Sequence, residues 1–196
     1  DVGCGPAAKR CVTVTPGDRL VALAGFTLAD GATDIWDGTT GTADNAETWG
    51  DAAKAGGFFV AADKAQGFDM TRVQLLDSDV VDCAGGNAAA VWGGWLQRCV
   101  IRGSAQPTGG NSVVRQAILS SCYLYENDFR NNQLLANGCE ANCCTVSARY
   151  QGVWKSVASV SSFLQGVVVC GGKLEKATPT VGSVFDQNPY AIAVTG

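Results

Sequence analysis

Carboxylates are the side chains best suited to acid–base chemistry in this chain, because the sequence contains no histidine. This absence excludes Ser-His-Asp and Cys-His catalysis, and any zinc site that uses an imidazole ligand. It also removes the side chain that most readily shuttles protons near neutral pH. Catalysis would depend on carboxylates, lysine, arginine, tyrosine or cysteine, and the composition favours a protein that is not an enzyme.

Asp77 and Asp79 come closest to the pattern of a hydrolase or lyase, since they share one face of a predicted strand. Carboxylate catalysis on a sugar chain needs two acids roughly 5–10 Å apart. The corresponding positions of the next repeat carry Gln97 and Arg98, and later repeats carry serine and asparagine, so the row of acids ends there. We expect Arg98 to form a surface ion pair with Asp79, and we assign no catalytic residue.

A second group of polar and aromatic residues is suited to contacts with a glycan. Glu126, Asp128 and Arg130 follow one another closely in a predicted turn. Trp36 lies in an acidic, glycine-rich loop and Trp95 at a bend, where an indole ring presents a flat apolar face and a polar N–H. We expect Trp36 and Trp95 to be exposed contact residues, and Glu126, Asp128 and Arg130 to be a further candidate for glycan contact.

Cysteine is abundant, with nine residues, and the odd number leaves at least one thiol free or paired with a neighbouring chain. Cys4 and Cys11 lie in an N-terminal segment containing glycine and proline, which predicts a disulfide between them. Cys139, Cys143 and Cys144 have no second cluster that would complete four zinc ligands. We expect no metal and no cofactor.

The cysteine content and the start of the sequence predict an exported protein, either extracellular or on a cell surface, with a virion surface as the alternative. The sequence begins at Asp1, and Met70 is its only methionine. No apolar run approaches the ~20 residues of a membrane span. The net charge of -4, without a basic run, argues against nucleic acid as a partner.

A repeated pattern provides the strongest indication of the fold. An apolar residue, two polar residues, a cysteine or second apolar residue and then β-forming residues recur along the second half of the chain. Asp79 takes the fourth place of this pattern in the first repeat. The later repeats place five residues there, separated by 23, 22, 19 and 21 positions: Cys99, Cys122, Cys144, Phe163 and Val184.

A repeat of about 21 residues, built from short β-forming runs between Gly, Asn and Ser turns, cannot bury its apolar side alone. Stacked repeats would form a parallel β-solenoid, with the five fourth-place residues as an internal ladder at ~4.8 Å spacing. A β-sandwich or jelly roll is the alternative, although such a fold does not require a sequence repeat of fixed length. Leucine-rich repeats need a longer leucine frame than the fragments present here.

Two segments, 93–101 and 118–127, resemble the repeat of right-handed parallel β-helices, through a glycine-rich turn followed by an L-x-x-C strand. This family includes pectate-lyase-like folds, bacterial surface proteins and phage tailspikes, and the resemblance covers roughly residues 73–196. It implies an all-β fold, a right-handed parallel β-helix. The catalytic histidine of polygalacturonases and the calcium-binding acids of pectate lyases have no counterparts here, so the resemblance implies only the scaffold.

Residues 1–70 do not share the period, although residues 11–15 and 19–28 favour β-strands. We expect residues 1–70 to form an N-terminal cap or lead-in and residues 71–196 to form the parallel β-helix. A cap would prevent the open end from pairing with other chains. The alternative is that residues 11–28 donate a strand to a neighbouring molecule.

These features together predict an exported structural or adhesive protein that assembles with copies of itself into a filament or surface layer. A head-to-tail contact that does not close produces a fibre, and a trimer is its cyclic counterpart. The alternatives are a polysaccharide lyase or hydrolase and a phage tailspike or decoration protein, for which the partner would include a polysaccharide.

Overall fold

Three parallel β-sheets make up nearly all the regular structure in a computed structural model of the chain. The structure describes residues 4, 7–34, 51–62, 64–105, 112–128, 133–136, 138–147, 149–150, 153–154, 156–158, 163–170, 180–181 and 184–185. Short 3₁₀ turns span Asp51–Ala53, Lys64–Gln66 and Met70–Arg72.

The strands follow one another in groups of three, so that each group makes one coil of the solenoid. In chain order they are β1 (Val12–Val14), β2 (Val21–Ala24), β3 (Thr27–Ala29), β4 (Phe58–Val60), β5 (Val73–Leu76), β6 (Asp79–Val81), β7 (Ala88–Trp92), β8 (Trp95–Gln97), β9 (Val100–Arg102), β10 (Ser112–Arg115), β11 (Ile118–Ser120), β12 (Tyr123–Tyr125), β13 (Gln133–Ala136), β14 (Glu140–Asn142), β15 (Thr145–Val146), β16 (Arg149–Tyr150), β17 (Val153–Trp154), β18 (Ser156–Ala158), β19 (Phe163–Gln165), β20 (Val168–Val169), β21 (Thr180–Val181) and β22 (Val184–Phe185).

Each sheet collects one strand from every successive coil, which is the topology of a parallel β-helix. Sheet A has the order β1-β4-β7-β10-β13-β18, sheet B the order β2-β5-β8-β11-β14-β19-β21, and sheet C the order β3-β6-β9-β12-β15-β20-β22. A β16–β17 antiparallel hairpin lies between the fifth and sixth coils. The predicted all-β solenoid is therefore confirmed.

Columns of identical or similar side chains fill the interior because the strands pair in register. In sheet B the column contains Leu23, Leu75, Leu96, Leu119, Ala141 and Leu164. Five members of the column have no exposed surface: Leu75, Leu96, Leu119, Ala141 and Leu164. Burying a leucine side chain stabilises a fold by about 1.5–3 kcal/mol, so this column is a major source of stability.

A single residue in the left-handed conformation turns the chain from sheet B into sheet C in every one of six coils. Glycine adopts this conformation without strain, whereas other residues adopt it at a cost of roughly 1–2 kcal/mol. Stacking of the coils offsets that cost. The φ angles lie between 47° and 74° at Gly25, Asp77, Arg98, Ser121, Cys143 and Gly166.

The first 70 residues already contribute strands to these sheets, so the predicted boundary at residue 70 does not interrupt the solenoid. Strands β1, β2 and β3 pair with β4, β5 and β6 of the same chain. The segment 11–28, expected as a cap or as a donated strand, instead belongs to the first coil. The sequence period does not reveal this coil, because a long connection separates β3 from β4.

The internal ladder differs from the predicted one at both ends. Phe163 pairs with Glu140 and Val184 pairs with Val168, so neither residue shares the position of Cys144. Val167 follows Cys144 in the column, because the in-register pair Asn142 and Gln165 precedes both by two residues. The true spacing from Cys144 to Val167 is 23 residues, the same as that from Cys99 to Cys122, so Phe163 comes four residues too early to share the column.

The ladder position of the second coil belongs to Ser78 and not to Asp79. Leu76 pairs with Gln97 and Asp79 pairs with Val100, which places Ser78 level with Cys99. Ser78 is 2% exposed, and its hydroxyl donates to the carbonyl of Leu76 at 2.6 Å. That hydrogen bond satisfies the buried hydroxyl within the column.

Candidate functional site

The first coil, residues 12–29, differs from the later coils because its residue in the ladder column is exposed to solvent. Phe26 stands at the start of the ladder and is 51% exposed, whereas Cys99 in the same column is 1% exposed. Leu20 and Val21 are 61% and 37% exposed beside it. An exposed apolar cluster of this kind is typical of a surface that another chain covers.

The strands of the first coil also lack the features that protect sheet edges. β1, β2 and β3 end sheets A, B and C, so each is an edge strand. Their sequences, VTV, VALA and TLA, contain no charged residue and no proline. Natural edge strands usually carry lysine, proline or a bulge that prevents pairing with another chain. Among the described residues, β1, β2 and β3 therefore end their sheets without a charged residue or a proline within the strand.

A recess of about 250 Å³ on the outer face of sheet A is the second candidate site. Its floor is formed by Phe59 and Trp92, which are paired neighbours on β4 and β7. Both rings are 2% exposed. The recess, called the aromatic recess below, is lined by Asp51, Lys54, Phe59, Ala61, Ala62, Gln66 and Trp92.

Cationic side chains cover the aromatic rings of this recess. The Arg10 guanidinium lies 4.4 Å from the centre of the Phe59 ring, and the Lys54 ammonium lies 4.6 Å from the centre of the Trp92 ring. Asp51 binds the Lys54 Nζ at 2.9 Å, and burial lowers the pKa of Arg10. Because the cations lie over the ring faces, the recess is not suited to stacking of a sugar ring on Phe59 or Trp92.

The aromatic recess was not predicted from the sequence, in which Val91 and Trp92 follow each other as an apolar pair that does not itself mark an outer face. In the structure Val91 points inward and pairs with Phe58, while Trp92 points outward. The in-register partner of Trp92 is Arg115, whose guanidinium carbon lies 5.2 Å from the ring centre. The presence of Arg115 at the position of the repeat that corresponds to Trp92 is the signal that could have indicated that this position faces outward.

The structure describes three of the five predicted glycan contacts, and these three lie at separate places. Trp95 is half-buried on the outer face of sheet B, where its Nε1 donates to the Ser120 hydroxyl at 3.0 Å. Glu126 is exposed at the bend that follows sheet C. Asp128 is 8% exposed, and its backbone N–H donates to the carbonyl of Ser104. Trp36 and Arg130 lie outside the described residues.

Asp77, not Asp79, is the partner of Arg98. The guanidinium donates from Nε to Asp77 Oδ1 at 2.6 Å and from Nη2 to Oδ2 at 2.8 Å. The two residues meet because they occupy the same left-handed bend position in adjacent coils. These hydrogen bonds lower the pKa of Asp77, and the pair is exposed, as expected for a structural ion pair.

Cys99, Cys122 and Cys144 stack directly above one another in the interior and are each 1–2% exposed. The backbone N–H of Cys122 donates to the sulfur of Cys144 at 3.4 Å. Contact with the Cys122 thiol and burial raise the pKa of Cys99, and contact with the Cys144 thiol raises the pKa of Cys122 to about 12. Buried thiols of this kind pack as small apolar side chains.

The predicted disulfide between Cys4 and Cys11 is absent, since both residues are free thiols. Cys4 lies beside Thr33 and Asp34, whereas the thiol of Cys11 contacts Cys83. The sequence spacing favoured a local bridge, but the first coil carries Cys11 inward, toward the second coil.

Comparison of the chain with protein-family models, curated proteins and solved structures found no match. Within the described part of the chain, no group of three or more His, Cys, Asp or Glu side chains is arranged to hold a metal ion. None of its helical segments is long and apolar enough to cross a membrane.

Proposed function

We propose that this chain is an exported structural or adhesive subunit that assembles with copies of itself through the open first coil. The observation that carries the proposal is the exposure of Phe26, which is 51% exposed in a column whose later members are almost completely buried. In a filament subunit, the same column would continue into the neighbouring copy.

The two ends of the described solenoid suit a head-to-tail contact. Sheets B and C begin at β2 and β3, and among the described residues they finish at β21 and β22. All neighbouring strands within these sheets pair in parallel. A second copy placed at the first coil would pair its β21 and β22 with β2 and β3 in the same direction.

A second copy is the favoured occupant of this end, because its strands would supply both backbone partners for the edge strands and apolar cover for the exposed side chains. They would provide backbone partners for the uncharged edge strands β2 and β3 and apolar side chains to cover Leu20, Val21 and Phe26. A contact of this type repeats without closing, so it would produce a filament.

The test is the size of the full 196-residue chain as a function of concentration, measured by sedimentation velocity and by electron microscopy. We expect the wild-type chain to form elongated particles, and Phe26→Asp to remain monomeric because the substitution places a charge at the contact. Tyr123→Asp is the matched control, since Tyr123 is 46% exposed on sheet C, away from the ends of the solenoid. This control should assemble like the wild type.

A monomeric wild-type chain at every concentration would overturn the proposal, as would equal loss of assembly in both variants. Circular dichroism must show that the Phe26 variant retains its strands. Leu20→Asp provides a second test of the same surface, because Leu20 is 61% exposed just before β2 and has little part in the core.

A further inference from the structure

Two cysteines separated by 72 positions meet at the junction of the first and second coils. Cys11 comes directly before β1, and Cys83 follows β6 by two residues. The two thiols lie beside the same stretch of backbone: a Cβ atom on Gly57 would lie 3.1 Å from the Cys83 sulfur, and the N–H of Cys11 donates to the adjacent Gly56 carbonyl. The neighbouring Cys11 thiol contributes to the raised pKa of Cys83. Their neighbouring positions link the start of the solenoid to its second coil.

Both thiols donate hydrogen bonds to backbone carbonyls at the end of β3. The Cys11 thiol donates to the carbonyl of Ala29 at 3.2 Å, and the Cys83 thiol donates to the preceding carbonyl, that of Leu28, at 3.6 Å. Gly31 leaves room for them, because a Cβ atom there would lie 2.5 Å from the Cys11 sulfur. The backbone of Gly31 also hydrogen-bonds to Cys83.

The two thiols differ in their access to solvent, which sets the order in which they could react. Cys11 is half-buried and can be reached from outside, whereas Cys83 has no exposed surface. Burial raises the pKa of Cys83 to about 12, so this residue stays in the thiol form while the interior is closed. The column of Cys99, Cys122 and Cys144 offers no such pair, because all three are buried.

We propose that Cys11 and Cys83 form a disulfide by exchange with a small disulfide such as oxidised glutathione. The Cys11 thiolate attacks one glutathione sulfur, the glutathione S–S bond breaks, and one glutathione leaves as a thiolate. The Cys83 sulfur then attacks the Cys11 sulfur of the mixed disulfide and displaces the second glutathione. The protons from the two cysteines end on the two glutathione thiols, so two protein thiols are oxidised as one glutathione disulfide is reduced.

The bond would fasten the open first coil to the rest of the solenoid. It would close a loop that contains all of β1 to β6, and long loops lose the most conformational freedom in the unfolded chain when they are closed. The expected consequence is a first coil that stays ordered at its exposed edge. This inference does not depend on whether the chain assembles with copies of itself.

Peptide mapping of the full chain after incubation with oxidised and reduced glutathione tests the proposal directly. Free thiols are blocked by an alkylating reagent that is present while the chain is denatured, so that the buried thiols are also blocked before trypsin is added. Cleavage after Arg10, Arg19, Arg72 and Arg98 releases peptides 11–19 and 73–98, each of which contains a single cysteine. We expect these two peptides to be joined, with a mass about two hydrogen atoms below their sum.

The control variants separate the proposed bond from other cysteine chemistry. Cys143→Ser removes an exposed thiol and should leave the linked peptides unchanged. Cys11→Ser should abolish the link and the rise of several degrees in melting temperature that oxidation is expected to cause in the wild type. A glutathione adduct on Cys11 with Cys83 still free, or a link from Cys11 to another cysteine, would overturn the inference.

Discussion

Leu119→Ala probes the stacked interior where it is most complete. Leu119 has no exposed surface, and its in-register neighbours are Leu96 on one side and Ala141 on the other. The strands on both sides are fixed by backbone hydrogen bonds, so the column cannot close over the missing atoms. A Leu→Ala change in such a site removes the transfer free energy of the side chain and leaves a cavity, which costs about 3–4 kcal/mol.

The matched control is Ile118→Ala at the adjacent position. Ile118 is half-buried on the opposite face of β11, so its truncation should cost less than about 1.5 kcal/mol. Equilibrium urea unfolding of both variants, compared at unchanged m-value, measures the two free energies of unfolding. Equal costs, or a larger cost for Ile118, would refute the reasoning, because a shift of one residue turns every side chain of a strand to its other face.

Two other perturbations test separate contacts. Gly56→Ala should destabilise the chain by at least about 3 kcal/mol in the same urea assay, because the added Cβ would lie 2.3 Å from the carbonyl oxygen of Ala84, a backbone atom that cannot move aside. Arg98→Gln should raise the pKa of Asp77 toward its ordinary value of about 3.9, as measured by NMR titration of the carboxyl carbon.

For each of these two predictions there is a result that would contradict it, and for Gly56→Ala there is also a control variant. Gly17→Ala adds a methyl group with nothing within 4 Å, so a loss as large as that of Gly56→Ala would contradict the steric argument. The lowered pKa of Asp77 favours the folded state above the unfolded-state pKa, and this contribution disappears as the pH falls through the lowered value. An unchanged pKa in Arg98→Gln would show that Arg98 does not cause the shift.

The fold could be predicted from the third to fifth coils, where the number of residues between equivalent positions of successive coils is almost constant. Leu96 and Cys99, and then Leu119 and Cys122, repeat the same local pattern because a single left-handed residue turns each strand of sheet B into sheet C. The first coil could not be found in this way. Its strands pair with partners 46 to 52 positions away, a separation set by long connections and not by the repeat.

Most of the differences between the predicted and the observed site residues arise because the sequence pattern was placed in the wrong register. The pattern at 160–163 imitates the repeat, but the in-register pair Asn142 and Gln165 places the true ladder position at Val167, 23 residues after Cys144. Asp77 and not Asp79 binds Arg98, because the ion pair forms between bend residues and not between strand residues. Patterns of residue type therefore locate a strand more reliably than they show which of its residues face the interior.

The aromatic recess could not be predicted because it depends on contacts between distant segments. Phe59 and Trp92 become neighbours only when β4 and β7 pair, and the cations that cover them come from Arg10 and Lys54 in connecting segments. The contact between Cys11 and Cys83 has the same origin. Neither arrangement leaves a local mark in the sequence.

The most direct test of the stacked coils is a methyl NOE spectrum of the chain with ¹³C-labelled leucine methyl groups. Strands about 4.8 Å apart place the methyl groups of adjacent column members in contact. We predict cross-peaks between Leu75 and Leu96 and between Leu96 and Leu119, which are in-register neighbours, and none between Leu75 and Leu119. Absence of the two neighbour contacts, or a direct contact between Leu75 and Leu119, would contradict the stacking of successive coils.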